Sequence, residues 1–205
     1  MDVIGTHAET LRTTQRVVDG VKPEQLDEAT PCTEWTVREL LAHMVGVNEV
    51  FAAAVRGDDP RATSDDDLLG DDPAAAYRRS VEESVAAWAT PDVLTQTLHL
   101  PFGHMPAAFA IGLHFIDNLV HRWDLATATG QDHLLNAESA GLALQMCQQN
   151  FAALPADQVR GEGKPFGQIV DWPADAPVHE RLVAFLGRHP HGRAGQTSKV
   201  PPARQ

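Results

Sequence analysis

The chain has 205 residues, of which 43% are apolar and 21% are charged, as is usual for one globular domain. Its formal net charge of −12 repels phosphate backbones and anionic lipids, so nucleic acids and membranes are not expected as partners. Two cysteines, Cys32 and Cys147, are too few for a disulfide framework, and the N-terminus lacks the pattern of a signal peptide, which together predict a reduced, cytoplasmic protein.

Helical periodicity and end signals divide most of the chain into helices. Thr36 and Glu39 form a T-x-x-E capping box that starts the second helix, and Gly57 is the residue type that ends one. Pro73 suits the first turn of the third helix. In chain order, the predicted helices cover about residues 2–21, 36–56, 73–88, 106–129, 137–153 and 178–187.

Three other segments are predicted to be non-helical. Residues 57–72 hold seven aspartates without EF-hand spacing, which is typical of a solvated loop rather than a cation site. Residues 93–105 alternate around a Pro-Phe-Gly turn, which predicts a short β-hairpin or an extended loop. Residues 190–205 read as a flexible tail, which leaves residues 1–189 as one domain. The predicted fold is an all-α, antiparallel four-helix bundle with extra short helices and a small β-hairpin.

A narrow polar stripe runs along the fourth predicted helix. At about 100° per residue, His114, Asp117 and His121 lie within a sector of about 60°. A stripe of this kind is either the solvent face of a helix or the wall of a buried site. Solvent faces usually carry Lys, Glu and Gln, so His, Asp and His favour a site. The apolar sector of the same helix holds Phe109, Ile116, Val120 and Trp123.

His43 lies within the apolar sector of the second predicted helix, close to Val47. A buried imidazole needs a partner, and either a hydrogen bond or a metal ion can supply one, so periodicity alone leaves both interpretations open. With Asp117 and His121 it would form a two-histidine, one-carboxylate set from facing helices. Three protein ligands leave a coordination position for water or substrate. Such a set suits zinc, nickel, iron or manganese.

Two segments carry a family resemblance: TPCTEWTVRELLAHMVG at 30–46 and HFIDNLVHRWDLATATGQD at 114–132. They resemble the metal-binding N-terminal domain of mycothiol-dependent maleylpyruvate isomerase, which belongs to the DinB/YfiT-like superfamily. APVHERLVAFLGRHP, at 176–190, resembles the end of single-domain members of that family. The resemblance covers about residues 17–190. It implies an up-down-down-up bundle that holds one divalent ion, zinc foremost, through His43, Asp117 and His121.

The resemblance also implies a class of reaction. The expected function is that of a metal-dependent transferase or isomerase acting with a low-molecular-weight thiol, mycothiol or a similar cosubstrate, and a small-molecule substrate. The isomerase carries an additional C-terminal domain for which this chain leaves no room, so maleylpyruvate isomerisation itself is not expected. The alternatives are a non-catalytic stress or sensor protein that binds a metal or a small ligand, and a structural homodimer with a vestigial site.

Several neighbouring residues have two interpretations each. His114 would hydrogen-bond to a metal ligand or take the place of Asp117 in the site. Trp35 and Trp123 would line the pocket or pack in the core. Cys32 would be a neighbour of the metal, although a buried, inert cysteine is the commoner case. His7 is expected at the surface, and His99 and His104 show no spacing that suggests a shared site.

Overall fold

The computed structural model describes residues 2–32, 35–59, 68–151, 160–161 and 166–191. These ranges contain helices α1 (Val3–Asp19), α2 (Val37–Arg56), α3 (Pro73–Trp88), α4 (Ala107–Ala128), α5 (Ala137–Phe151) and α6 (Val178–Phe185), and a hairpin of β1 (Thr97–Leu100) and β2 (Gly103–Pro106). The predicted all-α class with a small hairpin is confirmed. The tail beyond residue 191, the aspartates at 65–67 and residues 152–153 of the fifth predicted helix lie outside the described ranges. No helix within these ranges is both long and apolar enough to span a membrane.

The helix ends follow the predicted signals. At the start of α2, the backbone N–H of Thr36 donates to Glu39 Oε2 at 2.7 Å, and the N–H of Glu39 donates to Thr36 Oγ1 at 3.3 Å. Gly57 ends the helix with a φ of 77°, a left-handed conformation that glycine adopts without a steric penalty. Pro73 occupies the first turn of α3, where its missing N–H costs nothing.

Helices α1 and α4 run in the same direction. His7, near the start of α1, contacts His114 in the first half of α4. Gln131, just beyond the end of α4, donates from Nε2 to the carbonyl of Val17 near the end of α1. Both α1 and α4 also pack against their other neighbours in the bundle, α1 on α3 and α4 on α2.

Helices α2 and α3 run in the opposite direction to α4. His43 contacts Asp117, whereas Asn48, later in α2, contacts His114, earlier in α4. Along α3, Tyr77 contacts Asn118 and Trp88 contacts His114. The bundle is therefore up-down-down-up. Because α2 and α3 are parallel neighbours, the start of α3 lies at the opposite end of the bundle from the end of α2.

The central helix is α4, which is buried on nearly every side. Its predicted apolar sector packs against α5 and α6, with Ile116, Val120 and Trp123 all at most 4% exposed. Phe109 is the exception, since it is 37% exposed. The polar stripe is not a solvent face: His114 and His121 are 0% and 7% exposed. His114 and His121 of the stripe therefore face the interior of the bundle.

A buried polar network joins all four helices of the bundle. His114 Nε2 lies 2.8 Å from Asn48 Oδ1, and His7 Nε2 lies 3.1 Å from His114 Nδ1. Trp88 Nε1 donates to His114 Nδ1 at 3.3 Å, and Asn118 Nδ2 donates to Asn48 Oδ1 at 3.1 Å. Each of α1 to α4 thus contributes at least one side chain.

The proton positions in this network follow from the donors. An indole N–H can only donate, so His114 Nδ1 accepts, and His114 Nε2 must carry the proton that it donates to Asn48. His7 then donates from Nε2. Its Nδ1 is left as a buried acceptor with no hydrogen bond among the described residues. The geometry therefore calls for two neutral histidines.

The expected surface position of His7 is wrong, because its side chain is fully buried. His7 lies three residues after Ile4 and four before Leu11, on the stripe that faces the core. Burial, followed by electrostatic repulsion from His114 that would oppose a second proton, holds the pKa of His7 well below its ordinary value. Burial also lowers the pKa of His114 from 6.5 to about 4, against an opposing effect of Asp117.

Replacing Asn48 should destabilise the fold strongly. Asn48→Ala leaves the N–H of His114 and the amide of Asn118 buried without their common acceptor, so we expect the free energy of unfolding to fall by about 2–4 kcal/mol. Denaturant titration measures this value. Arg38→Ala, at an exposed position of the same helix, should change it by less than about 0.5 kcal/mol. Equal effects of the two substitutions would contradict the role of the network.

Acid should weaken the fold through the same two histidines. In the unfolded chain they take up protons as the pH falls through about 6.5, but folded His114 stays neutral down to about 4. The unfolded state therefore binds more protons in this window, and stability is lost as the pH falls, by about 3 kcal/mol for His114. Denaturation at pH 7, 5.5 and 4.5 should show a shallower pH dependence in His114→Gln. An unchanged slope would contradict the neutral assignment.

Candidate metal centre

The structure brings together His43 from α2 and Asp117 and His121 from α4. His43 Nε2 lies 3.2 Å from Asp117 Oδ1, and His121 Nε2 lies 3.4 Å from the same oxygen. One ligand atom from each residue lies within 4.8 Å of the other two. The two histidines belong to facing antiparallel helices, and Asp117 precedes His121 by one helical turn. The three predicted side chains therefore converge.

The spacing of these atoms fits a small divalent ion. Donors bound tetrahedrally at 2.0–2.1 Å from zinc are about 3.3–3.4 Å apart, close to the separations from Asp117 Oδ1. The second carboxylate oxygen, Asp117 Oδ2, is buried and has no hydrogen bond to any described residue. A buried carboxylate oxygen without a donor is costly, and a cation would satisfy it. On both counts the three residues suit a metal ion.

One side of the group is open to solvent. The side chains of His43 and Asp117 are 28% and 25% exposed, whereas that of His121 is 9% exposed. The ring of Trp35, in the turn before α2, lies 4.5 Å from His43 and 5.7 Å from His121, measured between ring centroids. Trp35 thus forms a wall beside the donors, and a small molecule could approach from the open side.

The two predicted tryptophans occupy different places. Trp123 is 1% exposed and packs in the apolar cluster that α4 forms with α5 and α6. Its ring edge contacts His133, at a centroid distance of 5.9 Å. The structure brings Trp35 to the donors, and it places Trp123 in the core packing that was the other interpretation of this residue.

His114 also lies away from the three donors. Its Nδ1 accepts from His7 and Trp88, and its Nε2 donates to Asn48. Its ring stacks on Phe51 at a centroid distance of 4.4 Å. Both ring nitrogens of His114 take part in the polar network. The imidazole therefore makes no bond to His43, Asp117 or His121 in this structure, and it has no free nitrogen with which to replace Asp117 as a metal ligand.

Charge is concentrated on the donors. Burial acts to raise the pKa of Asp117, but His121 and His43 outweigh it and hold that pKa well below its ordinary value. Burial acts to lower the pKa of His121, but Asp117, together with hydrogen bonds that the imidazole makes to Asp124 and Cys32, raises it well above its ordinary value. Asp117 and His121 therefore each favour the charged form of the other.

A second group with metal-ligand spacing shares His121 with the first. Cys32, His121 and Asp124 also place one ligand atom each within 4.8 Å of one another. Arg188 Nη2, however, lies 2.9 Å from Cys32 Sγ and 2.8 Å from Asp124 Oδ2. A guanidinium does not lose its charge in proteins, so it repels a cation there. Of the two groups, the one built on Asp117 is the better cation site.

Three residues of this region were missed or misjudged from the sequence. Cys32 is half-buried, with Sγ 3.9 Å from His121 Nδ1, so it is a neighbour of the donors rather than an inert core thiol. Asp124 follows His121 by three residues and Asp117 by seven, so helical spacing could have found it. Arg188 had no local signal, because it reaches Asp124 across 64 residues of chain.

Two further histidines are paired although their sequence spacing suggested no shared site. His99 and His104 face each other directly across the β-hairpin. Their exposed rings lie 4.3 Å apart, measured between centroids. The antiparallel register brings them together, and it is not visible as a helical spacing.

Comparisons with known proteins agree with this architecture. Residues 7–126 match the family described as the mycothiol maleylpyruvate isomerase N-terminal domain. An uncharacterised protein found in two strains of Mycobacterium tuberculosis is 36% identical over 189 residues, which is 92% of this chain and 98% of that protein.

A solved structure shares the fold. The crystal structure of a mutant of the mycothiol-dependent maleylpyruvate isomerase superposes with a TM-score of 0.55 at 13% identity. The match covers 71% of this chain but only 66% of the isomerase chain. With the bundle and the family match over residues 7–126, we conclude that the chain belongs to the family of the mycothiol maleylpyruvate isomerase N-terminal domain.

Proposed function

We propose that this protein binds one divalent metal ion, zinc foremost, through His43, Asp117 and His121, and uses it to activate a low-molecular-weight thiol such as mycothiol. The reaction would be transfer of that thiol to a small substrate, or thiol-assisted isomerisation. The observation that carries the proposal is the convergence of three ligand side chains that are open to solvent on one side, with Asp117 Oδ2 buried and without a hydrogen bond among the described residues.

The choice of thiol chemistry rests on the family and on the shape of the site. When bound, zinc would stabilise the thiolate form of a coordinated thiol at neutral pH. The family name and the solved relative both refer to mycothiol. Three protein ligands leave the open position that an incoming thiol needs. The ring of Trp35, beside His43 and His121, would contact the rest of the thiol molecule.

The surface next to the donors favours an uncharged group of the substrate. Val47 follows His43 by one helical turn, and Leu113 precedes Asp117 by one turn. Because α2 and α4 are antiparallel, these two half-buried apolar side chains lie on the same side of the donors. The nearby Arg188 guanidinium is already bonded to Asp124 and Cys32. The proposed substrate therefore presents an apolar rather than an anionic group beside the ion.

One observation favours a non-catalytic alternative. The imidazole of His114, which is on the same stripe of α4 and is a side chain able to act as a general acid or base, is held in the polar network and does not face the three ligands. A reaction in which the thiolate itself is the nucleophile needs no such group, but a proton shuttle would. The alternative function is that of a stress or sensor protein that binds a metal or a small ligand without turnover.

Metal content tests the site. Protein purified without a polyhistidine tag should contain close to one divalent ion per chain, and His43→Ala/His121→Ala should weaken zinc binding by more than about 100-fold, because two of three ligands are removed. Elemental analysis and competition with a chelator measure both quantities. His99→Ala/His104→Ala is the matched control, since it removes the exposed hairpin pair. Equal zinc affinity in the wild type and the donor variant would contradict the assignment.

Turnover separates the two functions. With mycothiol and a panel of uncharged electrophiles, conjugation or isomerisation should depend on both the thiol and the metal, and Asp117→Asn should reduce the rate by at least about 10-fold. Mass spectrometry of the products gives the rate. Stoichiometric zinc with no thiol-dependent product would favour the non-catalytic alternative.

A further inference from the structure

The two nitrogens of His121 face two different carboxylates. Nε2 points toward Asp117 Oδ1 at 3.4 Å, on the side of the proposed ion. Nδ1 lies 3.0 Å from Asp124 Oδ2, on the opposite side of the ring. Asp124 is 0% exposed and lies one turn further along α4. The imidazole is therefore held from behind by a second carboxylate.

Asp124 is itself fixed by a residue from the far end of the chain. Arg188, just after α6, donates from Nη2 to Asp124 Oδ2 at 2.8 Å and from Nε to Asp124 Oδ1 at 3.2 Å. Arg188 also donates from Nη1 to the carbonyl of Leu186 at 3.0 Å, which restrains the guanidinium. A two-bond contact with a planar guanidinium fixes both the position and the plane of a carboxylate.

This arrangement favours one tautomer and one ring orientation of His121, in which Nε2 is free to bind a metal ion. The ionised carboxylate of Asp124 can only accept hydrogen bonds, so the neutral ring must carry its proton on Nδ1. The lone pair of Nε2 then points toward His43 and Asp117. Metal-bound histidines in proteins are commonly oriented by such a carboxylate, and loss of that carboxylate typically weakens metal binding by about 10–100-fold.

We propose that Asp124 and Arg188 are positioning residues, which fix the tautomer and the ring orientation of His121 for binding the metal ion. This inference rests on the proposed metal site. It also makes the segment after α6 part of the centre, although Arg188 lies outside the family match at residues 7–126.

Two substitutions separate the parts of the arrangement. Asp124→Asn keeps the shape but removes the charge and can donate as well as accept. Arg188→Met keeps the apolar bulk and leaves Asp124 in place without its two-bond partner. Arg78→Met is the matched control, because Arg78 forms an exposed ion pair with Asp19 at 3.1 Å, remote in sequence from the donors.

The decisive readout is the tautomer of His121 in the metal-free protein. Imidazole ¹⁵N shifts are recorded at alkaline pH, where the rings are neutral, and His121 is identified by the signal missing in His121→Gln. We expect the Nδ1–H tautomer in the wild type and in Arg78→Met, and a mixture with Nε2–H in Asp124→Asn and Arg188→Met. Zinc affinity should fall by about 10–100-fold in both variants and stay unchanged in the control.

If Asp124 and Arg188 only stabilised the fold, their variants would behave differently. If both substitutions lower the free energy of unfolding but leave the tautomer and the zinc affinity unchanged, the proposal is wrong. If Asp124→Asn does not fold, Arg188→Met decides the question, because it keeps the carboxylate. If the wild type binds no zinc, the proposed function fails, while the tautomer of the metal-free protein still shows whether Asp124 and Arg188 orient His121.

Discussion

The bundle depends on one buried acceptor, Asn48 Oδ1, which takes hydrogen bonds from both His114 and Asn118 of α4. Apolar side chains tolerate small shifts of one helix along another, but a buried donor that loses its acceptor costs about 1–3 kcal/mol. With His7 and Trp88 donating to the same imidazole, the network fixes the register of all four helices at once.

That register also sets the candidate metal centre. His43 lies five residues before Asn48 in α2, and Asp117 lies three residues after His114 in α4. Because the two helices are antiparallel, the contact between Asn48 and His114 brings His43 opposite Asp117. The neighbouring network therefore aligns the three side chains, and Asp117 among them keeps one buried carboxylate oxygen without a hydrogen bond from a described residue. Because Asp117 and Asp124 raise the pKa of His121, a metal ion would compete with a proton for this imidazole.

Local signals in the sequence predicted much of this structure. The Thr36–Glu39 capping box, Gly57 and Pro73 place the ends of α2 and α3 because each acts within a few residues. The helical spacing of Asp117 and His121 showed a shared face. The surface position expected for His7 is wrong, because its place on the core-facing side of α1 outweighs the usual preference of histidine for the surface. Arg188 was beyond reach, since its contact with Asp124 depends on where α6 packs, which no local pattern encodes.

Helices α5 and α6 cover an apolar face of α4, and both follow the end of the family match. The family match ends at residue 126, inside α4, but Phe115, Leu119 and Trp123 are buried against the two helices that follow. A chain cut at the family boundary would expose that apolar face and leave Asp124 without its guanidinium. The sequence unit that the family match defines is therefore shorter than the packed unit that this structure shows. In this chain, the residues that cover α4 and the guanidinium that pairs with Asp124 therefore lie beyond the family match.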